Sequence, residues 1–199
     1  MIEKWQNLLA QLETIENEGL GIWSEERLLA FEAKTGITLP ADYKYFCQVF
    51  GLGMFCNYWR ISLYPDKKNS RKEMLLTEID ELSDSVASPT MDKISLKNLV
   101  TNALIFGNTV NSHLMFWDLR TYSERDRSYD IYFGDIIYAD VYQVGRNFFE
   151  FVRDFCLGMK SYEVLPEWMY PDPQELTPYS FYSLKSPFEL EFIQLEEET

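Results

Sequence analysis

Cysteine and histidine are both scarce in this chain. Its 199 residues include three cysteines and one histidine. Cys47, Cys56 and Cys156 form no CxxC pair, and His113 with such scattered thiols does not make a typical zinc site. An odd number of unpatterned cysteines is typical of a reducing compartment, so we expect a cytoplasmic protein with neither disulfides nor a metal.

Basic residues are also few. Lysine and arginine total 18 against 32 aspartates and glutamates, which gives a net charge of −14. Such a charge repels phosphate backbones and anionic lipids, so we expect no nucleic-acid or membrane partner. It attracts a basic protein, although solubility alone also explains an acidic composition.

Membrane, export and nucleotide-binding signals are missing as well. The chain has no run of about 18 apolar residues, and its first residues lack the basic start of a signal peptide. Gly51-Leu52-Gly53 lacks both the lysine of a phosphate loop and the third glycine of GxGxxG. We therefore predict no cofactor and interpret Gly51 as a helix end.

What the chain has is an apolar, aromatic composition that suits one well-buried core. Hydrophobic residues make up 46% and aromatic residues 16% of the sequence. We predict one α+β domain over residues 1–160. Residues 161–199, rich in proline and aromatics, are expected to pack on that domain, because so many exposed rings would be costly in water.

The most informative stretch runs from Ser24 to Gly51. Ser24 is a good N-cap, and Gly36 is placed to end a first helix in the left-handed conformation. Pro40 suits the first turn of a second helix. That helix carries an apolar face at i, i+3, i+4 and i+7, formed by Tyr43, Phe46, Cys47 and Phe50.

Other segments show simpler patterns. Apolar spacing predicts a first helix through Ile15, another helix over 74–82, and a closing helix built on Phe148, Phe151, Val152 and Phe155. Residues 54–64 predict one strand, and several strands are expected between Asn102 and Val144. Helices, then strands, then a helix indicate an α+β fold.

Several motifs resemble the SUKH superfamily. They are Ser24-Glu25-Glu26 with Leu28, Phe31-Glu32, Gly36-Ile37, Leu39-Pro40-Ala41-Asp42-Tyr43, Phe46 and Gly51, followed by Ile105 to Gly107, Phe116 to Leu119, Phe148 and Phe151-Val152. The resemblance covers roughly residues 20–160. The loop after Gly51 is longer than usual, and the aromatic tail after residue 160 is extra.

The SUKH resemblance implies a mainly antiparallel sheet with helices packed on one side. It also implies a protein-binding function. One possibility is an immunity protein that neutralises a cognate polymorphic toxin, often a nuclease, by direct binding. The alternative is a regulator or scaffold of cell-wall polysaccharide (glucan) synthesis, like the fungal Smi/Knr members. We expect a monomer or a weak homodimer.

Carboxylates on the later strands and loops are the expected contacts with a basic partner, with tyrosines as anchors. The predicted partner-binding residues are Asp118, Glu124, Asp126, Asp130, Asp135, Tyr122, Tyr129 and Tyr132.

Catalysis is the third hypothesis. It would need His113 with Asp118 or Cys56, or paired carboxylates such as those of Asp130, Asp135 and Asp140. We interpret His113 as a strand-entry residue and the aspartates as solvated, and we predict no catalytic residue. Trp117 is expected in the core, with Asp118 pointing outward.

Overall fold

A computed structural model describes residues 2–15, 21–63, 70–81, 91–135, 137–174 and 176–183. In this part of the chain the α-helices are α1 Ile2–Leu9, α2 Glu25–Thr35, α3 Ala41–Val49, α4 Ser70–Glu81, α5 Lys93–Thr101, α6 Phe148–Glu150 and α7 Lys160–Val164. The strands are β1 Glu13–Ile15, β2 Gly53–Phe55, β3 Trp59–Ile61, β4 Ala103–Thr109, β5 Leu114–Asp118, β6 Ile131–Gly134, β7 Val141–Gly145 and β8 Ser180–Ser183.

The predicted pair of helices between Ser24 and Gly51 is confirmed. The Ser24 hydroxyl accepts a hydrogen bond from the Arg27 amide at 3.2 Å, and Gly36 ends α2 at φ 69°. Across the corner, the Glu32 carboxylate accepts from the Leu39 amide at 2.6 Å and pairs with Lys44 at 3.0 Å. Glu32 thus ties the first helix to the start of the second.

The N-terminal prediction is only partly right. The helix α1 ends at Leu9, and Glu13–Ile15 forms a strand rather than the last helical turn. This strand pairs in parallel with β8, and the Glu13 amide donates to the Tyr179 carbonyl at 2.9 Å. Leu12 is buried in the turn after the helix, four residues after the buried Leu8. The helical spacing of apolar residues therefore continues beyond the end of the helix.

Residues 54–64 also differ from the prediction. They form a β2–β3 hairpin rather than one strand, because Cys56 and Asn57 have φ values of 54° and 57° and reverse the chain. The helix predicted over 74–82 corresponds to α4, with Leu82 outside the described residues. The helix α5 was not predicted, although Asp92 caps it through the Ser95 amide at 3.0 Å.

The strands form one sheet in the order β1-β8-β2-β3-β4-β5-β6-β7. Every neighbouring pair is antiparallel except β1 with β8. The strand β8 comes from the predicted extension and lies between β1 and β2, where Phe181 is fully buried. Residues 184–199 lie outside the described part, and the boundary at residue 160 stays a prediction.

The α+β fold is confirmed, with one correction to the expected packing on one side. The larger core cluster joins α1, α2, α3 and the closing helix to one face of the sheet, including Phe106 and Trp117. The opposite face carries a second cluster, in which α4 and α5 cover Ile105, Phe116 and Val141. Helices therefore protect both faces of the central strands.

The closing helix packs between α3 and the sheet, where Phe148 contacts Phe46 of α3 and Phe106 of β4. It begins at α6, where the Asn147 side chain accepts from the Glu150 amide at 3.0 Å. It continues as a π-helix over Phe151–Cys156, so the predicted apolar face of this helix is buried as expected.

Three glycines differ in how far the backbone around them would tolerate a side chain. A Cβ at Gly51 would lie 2.2 Å from the Gly21 carbonyl oxygen, and φ there is 70°. Gly36 has a similar φ, but a Cβ there would meet no atom within 4 Å. A Cβ at Gly145 would also meet no atom within 4 Å, and φ at Gly145 is not positive. We expect Gly51→Ala to lower the free energy of unfolding by about 3 kcal/mol and Gly36→Ala by about 1 kcal/mol.

Urea unfolding of the three variants measures these losses, with Gly145→Ala as the control expected within about 0.5 kcal/mol of wild type. Equal losses in the free energy of unfolding for Gly36→Ala and Gly51→Ala would show that the close approach of Gly51 to Gly21 does not contribute to the cost of the substitution.

Candidate functional site

The predicted contact residues lie at the two ends of the sheet, except Tyr132, which lies within β6. Asp118 ends β5, and the chain then runs through a 3-10 helix, Leu119–Thr121, and a loop to β6. Asp118, Tyr122, Glu124, Asp126, Tyr129 and Asp130 lie at or beyond this end of the strands. Asp135 follows β6 and lies at the opposite end.

Asp118 is a buried structural residue rather than an outward-facing one. It is 2% exposed, and its carboxylate binds the Arg120 guanidinium in a fork, with distances of 2.7 Å to Nε and 2.6 Å to Nη2. It also accepts from the Arg120 amide at 3.1 Å, which starts the 3-10 helix. The neighbouring Trp117 is fully buried, as predicted.

Arg146 holds the loop that carries Asp126 and Asp130. Its Nη1 donates to Asp130 Oδ1 at 2.7 Å, and its Nη2 donates to the Thr121 carbonyl. Its Nε lies 3.9 Å from Asp126 Oδ2. Glu124 and Asp126 are exposed and Asp130 is half-buried, so these three remain accessible to a partner.

The three predicted tyrosines differ in exposure. Tyr129 is buried, donates from its hydroxyl to the Thr38 carbonyl at 2.8 Å, and has its pKa raised to about 12 by burial and by nearby Tyr122, Glu32 and Glu124. Tyr122 and Tyr132 are half-buried. Tyr132 stacks on Phe116 at 5.7 Å.

Arginines are interleaved with the carboxylates at this end of the sheet. We call the residues 118–130 together with Arg146 the arginine end. Its carboxylates are Asp118, Glu124, Asp126 and Asp130, and its guanidinium groups are those of Arg120, Arg125, Arg127 and Arg146. Equal numbers of opposite charges make this end nearly neutral, unlike the acidic surface expected there.

A groove between α2 and α3 adjoins the arginine end. Its volume is about 230 Å³, and it is lined by Glu25, Leu28, Leu29, Ala41, Lys44, Tyr45, Gln48 and Arg127. Charged groups of both signs and an exposed Leu29 make it a mixed surface with no preference for one charge.

Asp135 forms a buried pair with His113. Both residues are 5% exposed, and His113 Nε2 lies 3.1 Å from Asp135 Oδ2. The other carboxylate oxygen accepts from the amides of Ile137 and Tyr138, each at 2.7 Å. Burial acts to raise the pKa of Asp135, but these hydrogen bonds outweigh it and hold the pKa below its ordinary value.

The arrangement does not resemble a hydrolytic site. Asp118 and Asp135 lie at opposite ends of the β5–β6 pair, about 17 Å apart at the strand rise per residue, so they do not face one cleft. Burial raises the pKa of the Cys47 thiol to about 12 and also raises the pKa values of Cys56 and Cys156, which disfavours nucleophilic thiolates.

No group of three or more metal-ligating side chains occurs among the described residues. Within the same residues, no helix is long and apolar enough to cross a membrane.

The exposed apolar residues near Asp135 were not predicted from the sequence. Ile137, Tyr138 and Trp168 lie on the surface there, although Trp168 belongs to the segment expected to pack inward. The signal that could have found them is the absence of lysine and arginine from residues 133–144 and 161–183.

Comparison with protein families identified the family of this chain. The family model described as SMI1 / KNR4 family (SUKH-1) matches residues 23–154. The match begins just before the Ser24 cap and ends within the closing helix. Searches of curated proteins and of solved structures returned no match.

The Asp135–His113 pair makes stability sensitive to acid. A carboxylate whose pKa is lowered by folding stabilises the protein above its unfolded pKa of about 3.9, and this contribution is lost as pH falls through the folded value. We expect Asp135→Asn to cost about 2 kcal/mol at pH 7, because the charge-assisted bond from His113 is lost.

Urea unfolding from neutral pH to about pH 3 checks this, with the exposed Asp126→Asn as the matched control. The difference in the free energy of unfolding between wild type and Asp135→Asn should become smaller as the pH drops below about 4. If this difference in the free energy of unfolding stayed constant across the pH range, the lower stability of the variant would not be due to the carboxylate charge.

Proposed function

Because the chain belongs to the SMI1/KNR4 family (SUKH-1), we propose that it is a non-catalytic protein-binding module that neutralises a cognate polymorphic toxin by direct binding. The family match over residues 23–154 carries this proposal, since the family includes immunity proteins as well as cell-wall regulators. We place the protein in the cytoplasm, where such a toxin domain would act.

The charge of the chain supports this choice of partner. A net charge of −14 steers a basic domain toward the protein and raises the rate of association. Nucleases hold a polyanion in a basic cleft, so an acidic protein can occupy that cleft in place of the nucleic acid.

The geometry of the aspartates supports binding over catalysis. Asp118 is neutralised by Arg120 and Asp135 is paired with His113, so both carboxylates already have partners. These contacts stabilise the two ends of the β5–β6 hairpin, which is a structural role.

The alternative is a regulator of cell-wall polysaccharide (glucan) synthesis. The name of the matching family, SMI1/KNR4, favours it. A regulator of this kind would bind a component of the synthesis machinery and would not require a strong electrostatic contribution.

Affinity capture at two salt concentrations separates the two functions. The immobilised full chain should retain a basic toxin domain at about 0.1 M salt and release most of it near 1 M, where the Debye length falls from about 10 Å to about 3 Å. A neutral protein of similar size serves as the control bait.

Expression of the retained domain should then arrest growth, and co-expression of this chain should restore it. Capture of cell-wall synthesis components alone, or binding indifferent to salt, would overturn the immunity function and favour the regulator.

A further inference from the structure

Three strand connections meet at the end of the sheet opposite the arginine end. They are residues 56–58 between β2 and β3, residues 110–113 between β4 and β5, and residues 137–140 between β6 and β7. We call these connections, with the adjoining Trp168, the turn end.

The turn end exposes apolar side chains side by side. Ile137 is 69% exposed, Tyr138 is 62% exposed and Trp168 is 50% exposed. The Tyr138 and Trp168 rings meet edge to face with centroids 5.4 Å apart. Adjacent exposed apolar side chains on a soluble protein are typical of an interaction site.

These side chains are held in place from beneath. The Asp135 carboxylate binds the amides of Ile137 and Tyr138 and is itself bound by His113, which fixes the connection on which both side chains stand. Trp168 lies on a 3-10 helix, Glu167–Met169, anchored by the fully buried Met169. A surface fixed in this way loses little conformational entropy when a partner binds.

Unusual backbone conformations concentrate at the same end. Of the non-glycine residues with positive φ in the described chain, all but Arg127 lie in or beside the turn end. These residues are Cys56, Asn57, Ser112, Ala139 and Tyr179. Conformations of this kind are costly and cluster at functional sites.

The charge of the turn end is of one sign. Residues 54–59, 108–115, 133–144 and 161–183 contain no lysine or arginine. Exposed carboxylates accompany Trp168 along the chain at Glu163, Glu167 and Asp172. Lys160, which directly precedes the last of these ranges, interacts with Asp154. The segments that form and adjoin the turn end thus carry carboxylates without lysine or arginine, whereas the charges of the arginine end are balanced.

We propose that the turn end is the docking surface for a basic protein segment, with an arginine or lysine of the partner placed against Trp168 and Tyr138. Indole and phenol rings attract guanidinium and ammonium groups, and the surrounding carboxylates strengthen that attraction. Ile137 supplies the apolar contact beside the charge. This inference rests on the proposed function of protein binding and names the surface that performs it.

The local potential can be measured through Trp168 itself. Trp5, Trp23, Trp59 and Trp117 are each at most 6% exposed, so Trp168 is the one accessible indole. Quenching of its fluorescence by caesium should exceed quenching by iodide, because the acidic surroundings concentrate cations. The variant Trp168→Phe provides the blank. Stronger quenching by iodide would overturn the charge argument.

The docking surface is tested with an acetylated, amidated peptide of alternating arginine and leucine. Binding should change the Trp168 emission, and amide shifts in nuclear magnetic resonance spectra should centre on Ile137, Tyr138 and Trp168. A peptide of alternating glutamate and leucine is the control. No binding, or shifts spread evenly over the surface, would overturn the proposal.

Substitutions at the turn end test whether the peptide binds there. The double variant Ile137→Ser/Tyr138→Ser should weaken peptide binding roughly tenfold or more. Ile94→Ser, at an 82% exposed position on α5, should leave binding unchanged. A loss confined to Glu124→Gln/Asp126→Asn would move the site to the arginine end and overturn the proposal.

The same variants separate this inference from the proposed function. A captured toxin domain that binds the Ile137→Ser/Tyr138→Ser variant as tightly as wild type overturns the docking surface and leaves the immunity function standing. Conversely, peptide binding that maps to the turn end while no toxin domain is captured supports the surface and removes the proposed function.

Discussion

The packing of Phe148 is the constraint on which the rest of the structure depends. Its ring contacts Trp5 of α1, Tyr43 and Phe46 of α3, Phe106 of β4 and Trp117 of β5, at centroid distances from 5.1 to 6.0 Å. Aromatic pairs contribute about 0.5–1.5 kcal/mol each beyond the area they bury. This one side chain joins the N-terminal helix, the capped helix pair and the central strands, so their relative positions are set together.

That packing leaves the two ends of the sheet as the accessible parts of the fold. Helices cover both faces of the central strands, so the strand connections at the two ends of the sheet remain exposed. At one end, Arg120 and Arg146 neutralise the nearby carboxylates. At the other end, the segments that carry the exposed aromatic rings contain exposed carboxylates and no lysine or arginine. The overall charge of −14 is thus unevenly distributed.

Sequence reasoning succeeded where the signal is local. The Ser24 cap, the left-handed Gly36 and the apolar faces of α3 and the closing helix follow from residues within a few positions of one another. It failed at β1, whose partner β8 lies more than 160 residues away, and at α5, whose apolar positions Leu96, Leu99 and Val100 were not recognised. For the candidate site, it identified acidic residues but could not tell which of them are buried. Asp118 is buried against Arg120 and Asp135 against His113, whereas Glu124 and Asp126 are exposed.

Residue identity and short spacing were enough to establish the family motif, the helix boundaries set by caps and glycines, the composition of the core and the net charge. The folded chain alone determines which carboxylates meet arginines and which stand with exposed rings. Arg146 reaches Asp130, and His113 reaches Asp135, across strands paired by backbone hydrogen bonds. Such pairings join residues far apart along the chain, and no local pattern of the sequence encodes them.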